Sequence, residues 1–268
     1  MSLVISPEMG YFLMGLVGDG CIATLSNEIS MNVTDRPFAE TWARCFSTAF
    51  NIPMNIIGPY LSRRKNATPI YRARKCNASI KSQILTNYVN KKGKYLWSFH
   101  PAAFNAFANM KKEDLGFSLR GFFDAEGSVI IGKKRSITAT NTSKEGIEQI
   151  KALLECLQIY VRRYKYVDKR PNYRACYALR IGGQKDLRLF NMLISFSIPR
   201  KRNALQALLN AYKTPPRMRY TSDAKVAVTY LHKVGYTHLE IAHLLDINTN
   251  TLQHWIYGRP REHESVNT

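Results

Sequence analysis

Acidic residues are scarce in this chain: 19 Asp and Glu stand against 39 Lys and Arg in 268 residues, a formal charge of +20 with a pI near 9.9. So little negative charge points to a polyanionic partner, nucleic acid first. Long apolar runs are also missing. None approaches the roughly 18 residues that span a bilayer, and no basic amphipathic helix dominates, so a membrane surface is set aside as a partner. Paired cysteines are absent too. Cys21, Cys45, Cys76, Cys156 and Cys176 are scattered, with no CxxC and no Cys/His cluster at zinc spacing. They read as reduced, mostly buried thiols of an intracellular protein. The opening MSLVISPEMGYFL has neither the basic start and apolar core of a signal peptide nor an Arg- and Ser-rich leader. With no targeting signal, the expected compartment is the cytoplasm of a prokaryote or the matrix of an organelle that encodes the protein.

What the chain does have is a duplication. GYFLMGLVGDGCI (10–22) and FSLRGFFDAEGSV (117–129) share one plan, an apolar helical run ending in a small residue, an acid and glycine. The acids Asp19 and Glu126 lie 107 positions apart, and the echo YRAR (71–74) and YRAC (173–176) repeats at 102. Each motif is followed by two short strand-like runs, an amphipathic helix, two more strands and further helix. The first half reads CIATL, ISMNVT, helix FAETWARCFSTAFNI, strands MNIIGPYLSRRK and IYRARKC, then helix SIKSQILTNYV. The second reads SVIIGKK, SITATNT, helix SKEGIEQIKALLECLQI, strands YVRRYKYV and YRACYALRI, then helices QKDLRLFNMLISF and KRNALQALLNAY. The expected class is α+β, two pseudo-symmetric αββαββα halves over 1–110 and 111–213.

Alternation in the strands gives each sheet a basic face. Arg72 and Arg74 share one side and Tyr71 and Ala73 the other; Arg174, Ala178 and Arg180 face away from Tyr177, Leu179 and Ile181. With Arg63 and Arg162 these arginines are the candidate contacts to a phosphate backbone. Residues 214–268 hold 6 Lys and Arg against 5 acids, so about +19 of the charge belongs to the duplicated part.

In LRGFFDAEG, Gly121 and Ala125 stand four apart on one helical face, and Gly18 occupies the place of Ala125 in the first copy. Small residues at that spacing let two helices pack backbone to backbone. Packing of that kind sets Asp19 beside Glu126 at two C-terminal ends, where both carboxylates oppose the helix dipoles. A divalent cation resolves the conflict, and hard oxygen ligands completed by water and phosphate suit Mg²⁺.

LRGFFDAEG resembles the LAGLIDADG motif of homing endonucleases at Leu119, Gly121, Asp124, Ala125, Glu126 and Gly127. FLMGLVGDG (12–20) is a looser copy: Met14 replaces the usual glycine, Gly15 comes one place late, and Val17 replaces the first acid. TNTSKEG and FSIPRKRNAL are similar to the family beyond its motif. The resemblance covers about residues 8–212. It implies a single-chain monomer whose halves meet at the motif helices and whose antiparallel sheets form a saddle on a long, specific double-stranded DNA target. It further implies an intron-encoded endonuclease that hydrolyses both strands across the minor groove and leaves short 3′ overhangs. Asp19 and Glu126, with Gly18 and Ala125, would hold Mg²⁺ or Mn²⁺. The basic residue the family uses is matched by Lys201, and its water-ordering polar residues fall at Asp35 and Thr142. A maturase that binds host intron RNA and a non-cleaving DNA-binding regulator are the alternatives on the same scaffold.

The tail, 214–268, opens with a Pro-containing linker, KTPPRMRYTSD (213–223). Its apolar spacing, Gly235 and the turn LDINTNT suggest three short helices that resemble a helix-turn-helix. The last, about Thr249 to Tyr257, would enter a major groove. Thr249, Asn250, Gln253 and His254 are its candidate contacts, with Arg259 and Arg261 beside the backbone.

Overall fold

The structure is a computed structural model of the chain, and it describes residues 3–61, 68–92, 96–132, 134–166, 175–212, 222–245 and 247–257. Arg63, Arg174, Arg259, Arg261 and the Asn250 side chain lie outside the described residues.

Helix α1 (Pro7–Gly18) starts where the Ser6 hydroxyl accepts the Met9 N–H at 3.2 Å and Pro7 opens the first turn. Strands β1 (Gly20–Ile22) and β2 (Glu28–Val33), helix α2 (Arg36–Phe50), strands β3 (Asn55–Tyr60) and β4 (Ile70–Cys76) and helix α3 (Ala78–Asn87) complete the first αββαββα unit. The second repeats it as α5 (Lys112–Glu126), β7 (Gly127–Ile130), β8 (Ser136–Asn141), α6 (Lys144–Cys156), β9 (Val161–Tyr166), β10 (Cys176–Gly182) and α7 (Gln184–Leu193), then α8 (Pro199–Asn210). Between them stand strands β5 (Val89–Lys92) and β6 (Leu96–Phe99) and helix α4 (Pro101–Ala108).

The two larger sheets have the same strand order, β1-β2-β4-β3 and β7-β8-β10-β9, with every pair antiparallel. Their registers also correspond. Cys21, Ser30, Arg74 and Asn55 form one row of the first sheet, as Ser128, Thr138, Arg180 and Arg162 do in the second. The inner faces of both sheets, the motif helices and α2, α6, α7 and α8 share one hydrophobic core. Trp42, Tyr11, Phe12, Phe123 and Phe190 are among its largest fully buried side chains.

Three features differ from the sequence reading, the first being helix α4, which it did not include. The helix expected over SIKSQILTNYV ends at Asn87, and Val89 begins a hairpin, β5–β6, that the reading missed. That hairpin leans on the other half: Gln149 of α6 accepts from Phe99 N–H at 2.7 Å and donates to Phe99 O at 2.9 Å. A Cβ on Gly146 would lie 2.5 Å from Trp97 O, which explains a glycine in the first turn of α6. The cysteines are also not mostly buried. Cys45 is buried, but Cys21, Cys76 and Cys156 are exposed, because strand alternation turns Cys21 and Cys76 to the open face of the first sheet.

The chain divides into two compact units, Met1–Pro216 and Arg217–Thr268. The second contains α9 (Ser222–Lys233), α10 (His238–Leu245) and α11 (Thr249–Tyr257) around its own core of Val228, Ile241, Ile247 and Leu252. Among the described residues no helix is long and apolar enough to cross a membrane.

Candidate active site

The motif helices α1 and α5 lie parallel, and small residues set how close they come. A Cβ on Gly121 would overlap Tyr11 O and sit 3.1 Å from Gly15 N, and one on Gly18 would sit 2.5 Å from Ala125 Cβ. Gly10 faces Ser118 in the same way. Gly15 serves a different partner: its missing side chain admits the Trp42 ring of α2, whose indole N–H donates to Phe12 O at 2.9 Å. Met14, in the place of the usual glycine, is fully buried without opening the helix contact.

This packing delivers Asp19, which follows α1, and Glu126, the last residue of α5, to neighbouring helix ends of the same negative polarity. Burial lifts the Asp19 carboxyl above its ordinary range, against the pull of the Lys201 charge. Burial first, and then the charge of Asp19, push Glu126 up to about 7, while a hydrogen bond from Asn141 and the Lys201 charge oppose the rise. Asn141 spans the two helix ends. Its amide donates to Glu126 Oε1 at 3.0 Å and to Val17 O at 3.2 Å, and its own Oδ1 accepts from Ser143 N–H at 2.9 Å. Thr142, the residue expected from the sequence, lines the same cleft as both acids, and the alternation of β8 turns its neighbour Asn141 to the helices.

Asp124 has a structural partner set. It is 1% exposed, accepts the Tyr11 hydroxyl at 2.7 Å, the Ser197 N–H at 3.0 Å and the Ser197 hydroxyl at 2.5 Å, and so ties α5 to α1 and to the approach to α8. Lys201, 7% exposed, turns its ammonium onto the last carbonyls of α5, donating to Asp124 O at 2.6 Å, Phe123 O at 3.3 Å and Ala125 O at 3.5 Å. Burial lowers its pKa, with the charge of Asp124 the largest opposing influence. The lysine therefore neutralises a helix C-terminus within electrostatic reach of both acids.

A cleft opens on each side of the acids. One, about 320 Å³, is lined by Asp19, Asp35, Asp124, Arg200 and Lys201. There Arg200 grips Asp35 with two hydrogen bonds of 2.9 and 2.7 Å, so this carboxylate is committed to an ion pair. The other, about 640 Å³, is lined by Asp19, Glu126, Asn141, Thr142, Lys91 and Cys176. Lys91 comes from the β5–β6 hairpin, donates to Ile22 O at 2.9 Å and lies over the Trp97 ring at 5.8 Å. It escaped the sequence reading together with its hairpin.

The strand arginines lie on the open sheet faces. Arg72 donates to Glu28 Oε1 at 2.5 Å, with Arg74 at 3.8 Å from the other oxygen of the same carboxylate. In the second sheet Arg162 stands opposite Arg180, which donates to Lys134 O at 2.9 Å. In the small unit, Gln253 and His254 are exposed on α11 and Thr249 is half-buried.

Two acids at paired helix ends, each helix leading into a like-ordered antiparallel sheet, invite comparison with known proteins. Residues 114–195 match the family of LAGLIDADG-like domains. An uncharacterized protein of Methanocaldococcus jannaschii is 29% identical over 183 residues, 64% of this chain, which in turn spans 62% of that relative's length. Among solved structures, the homing endonuclease I-WcaI bound to its DNA recognition sequence is similar with a TM-score of 0.50 and 18% identity, covering 76% of this chain and 88% of the other. Full-length DUF199/WhiA from Thermatoga maritima gives a TM-score of 0.50 at 12% identity, covering 93% of this chain and 89% of that one. At these identities the likeness is one of fold, shared with a homing endonuclease and with WhiA alike.

Proposed function

We propose that the protein is a site-specific, divalent-cation-dependent endonuclease of double-stranded DNA, acting as a monomer and encoded within an intron. The observation that carries this reading is the convergence of Asp19 and Glu126. Two carboxylates raised above their ordinary range at two negative helix ends form a poor resting arrangement for a protein that only binds DNA. They suit a hard divalent cation such as Mg²⁺ or Mn²⁺. Among the described residues no group of three or more His, Cys, Asp or Glu side chains comes together as a metal site. Backbone carbonyls of Gly18 and Ala125, water and the phosphate itself would then complete the coordination.

A bound cation of this kind lowers the pKa of an attacking water and stabilises the leaving oxygen. The chain does the rest. Asp19 and Glu126 fix the position of the reacting phosphates, Asn141 orients Glu126, and Lys201 and Lys91 supply fixed positive charge on the two sides. The open sheet faces, with their arginines and within the duplicated part that carries about +19 of the net charge of +20, hold the duplex. Cleavage of both strands across the minor groove, leaving short 3′ overhangs, is what the resemblance to homing endonucleases implies for such a pair of acids. A non-cleaving DNA binder is the other reading that the shared fold allows, and the paired acids speak against it.

The test is direct. Purified protein with Mg²⁺ is offered a duplex spanning the insertion site of its host intron. Cutting is expected, and Asp19→Asn or Glu126→Gln should abolish it while leaving binding intact. Cutting that survives either substitution would sink the assignment of the acids.

A further inference from the structure

Matching registers allow the two open faces to be compared row by row. In the outer row the halves agree, since Arg74 and Arg180 hold the same place on the equivalent strands β4 and β10. The next row, beside the acids, differs. In the first half it reads Asn32, Arg72, Ile57; in the second, Thr140, Ala178, Tyr164. Asn32 lines the cleft of Asp19, and Thr140 lines the cleft of Glu126, so both rows lie next to the candidate scissile phosphates.

The chemistry of the two rows is unlike. Arg72 offers a planar fork, and Glu28 holds it from one side by a 2.5 Å ion pair. Its Nε is buried and has no partner, so the fork is oriented by that single carboxylate. A guanidinium held in this way matches the O6 and N7 acceptors of guanine in a major groove. The second-half row has no charge. Ala178, 4% exposed, is a methyl floor between an exposed threonine and an exposed tyrosine. Such a row suits the C5-methyl of thymine and has no bidentate donor for guanine. The register also puts Ser136 where the first half has Glu28, so the second half has no carboxylate to steer an arginine there.

We infer that the DNA target is chemically lopsided: Arg72, positioned by Glu28, reads a guanine in one half-site, and the row Thr140, Ala178, Tyr164 reads a thymine at the mirrored position of the other. This inference rests on the DNA-binding reading above and assigns base chemistry to residues within it.

Duplexes selected from a randomised pool by the full chain, in Ca²⁺ so that bound DNA is retained, test it. A G·C pair should be enriched at one position near the centre and an A·T pair at its mirror. Arg72→Lys keeps the charge and loses the fork, so overall affinity should stay within a fewfold while preference for that G·C pair drops about tenfold. Glu28→Gln should weaken the same preference most, with a smaller effect beside Arg74, which shares that carboxylate, and Tyr164→Ala should relax only the mirrored A·T. A palindromic consensus, or an Arg72→Lys chain with unchanged base preference, would overturn the inference while leaving DNA binding standing. A chain that binds no duplex at all would overturn the DNA-binding reading, and this inference with it.

Discussion

Gly18 and Ala125 meet across the α1–α5 contact so closely that a methyl group added to Gly18 would sit 2.5 Å from Ala125 Cβ and 3.3 Å from Glu126 Cγ. The acids are thus positioned by what their neighbours lack.

Substituting Gly18 with valine should therefore do two things at once. It overpacks the helix contact, at a cost of roughly 1–3 kcal/mol, and it pushes the end of α5 away from Asp19. Urea unfolding should give a lower midpoint, and cleavage should fall more than stability explains. Gly15→Ala meets the Trp42 ring at 2.7 Å instead and should lower stability without altering the contact between the motif helices.

Glu126 makes stability depend on pH in a definite direction. Its carboxyl is lifted from 4.5 to about 7 by burial and by Asp19. Between those values the folded state keeps a proton that the unfolded state has released. Stability is accordingly greatest below about pH 4.5, as far as this group is concerned, and declines until pH 7. A lift of that size corresponds to about 3 kcal/mol. Measured without divalent ions, Glu126→Gln should flatten the decline and be more stable than the parent at pH 8, because the amide still accepts from Asn141. If the slope survives the substitution, another group is its source.

Asp124 should matter to folding before it matters to chemistry. Asp124→Ala strands the Ser197 N–H, at about 1–3 kcal/mol, and leaves the buried Tyr11 hydroxyl only the longer 3.1 Å contact with Ser197 Oγ, whereas Asp124→Asn keeps the shape and part of the bonding. The expected order of urea midpoints is parent, Asn, Ala. Equal midpoints for Asn and Ala would show that the hydrogen bonds contribute little there.

Much of this architecture was legible because its periods are strong. The motif helices, the paired strands and α6 follow apolar spacings of 3.6 and 2, and the 107-residue echo placed Asp19 against Glu126. The β5–β6 hairpin was not legible, because YVNKKGKYLWSF has little alternation of its own and gains stability from Gln149 and Trp97 in contact with the other half. Missing the hairpin meant missing Lys91. Asp35 looked available as a polar residue near the motif, but its partner Arg200 lies 165 positions away, a separation that no local pattern reports. The exposed thiols of Cys21 and Cys76 show the same limit, since their strand register decided burial and their residue type did not.

The small unit offers a last test, one that separates charge from base reading. Its core of Val228, Ile241, Ile247 and Leu252 is distinct from that of Met1–Pro216, so a chain ending at Pro216 should keep the unfolding transition of the large unit. If α11 docks Gln253 and His254 against DNA, the truncated chain should bind its target about tenfold more weakly, within the range of one or two lost base contacts. The small unit carries only about +1, however, so the number of phosphates neutralised should hardly change. The slope of log affinity against log salt should then stay the same within about one unit, while the affinity itself falls. Weaker binding with a much shallower slope would make the tail an electrostatic clamp, and unchanged binding would remove it from the DNA interface. The expected pairing, lower affinity on a parallel line, is what a base-reading appendage with almost no net charge must produce.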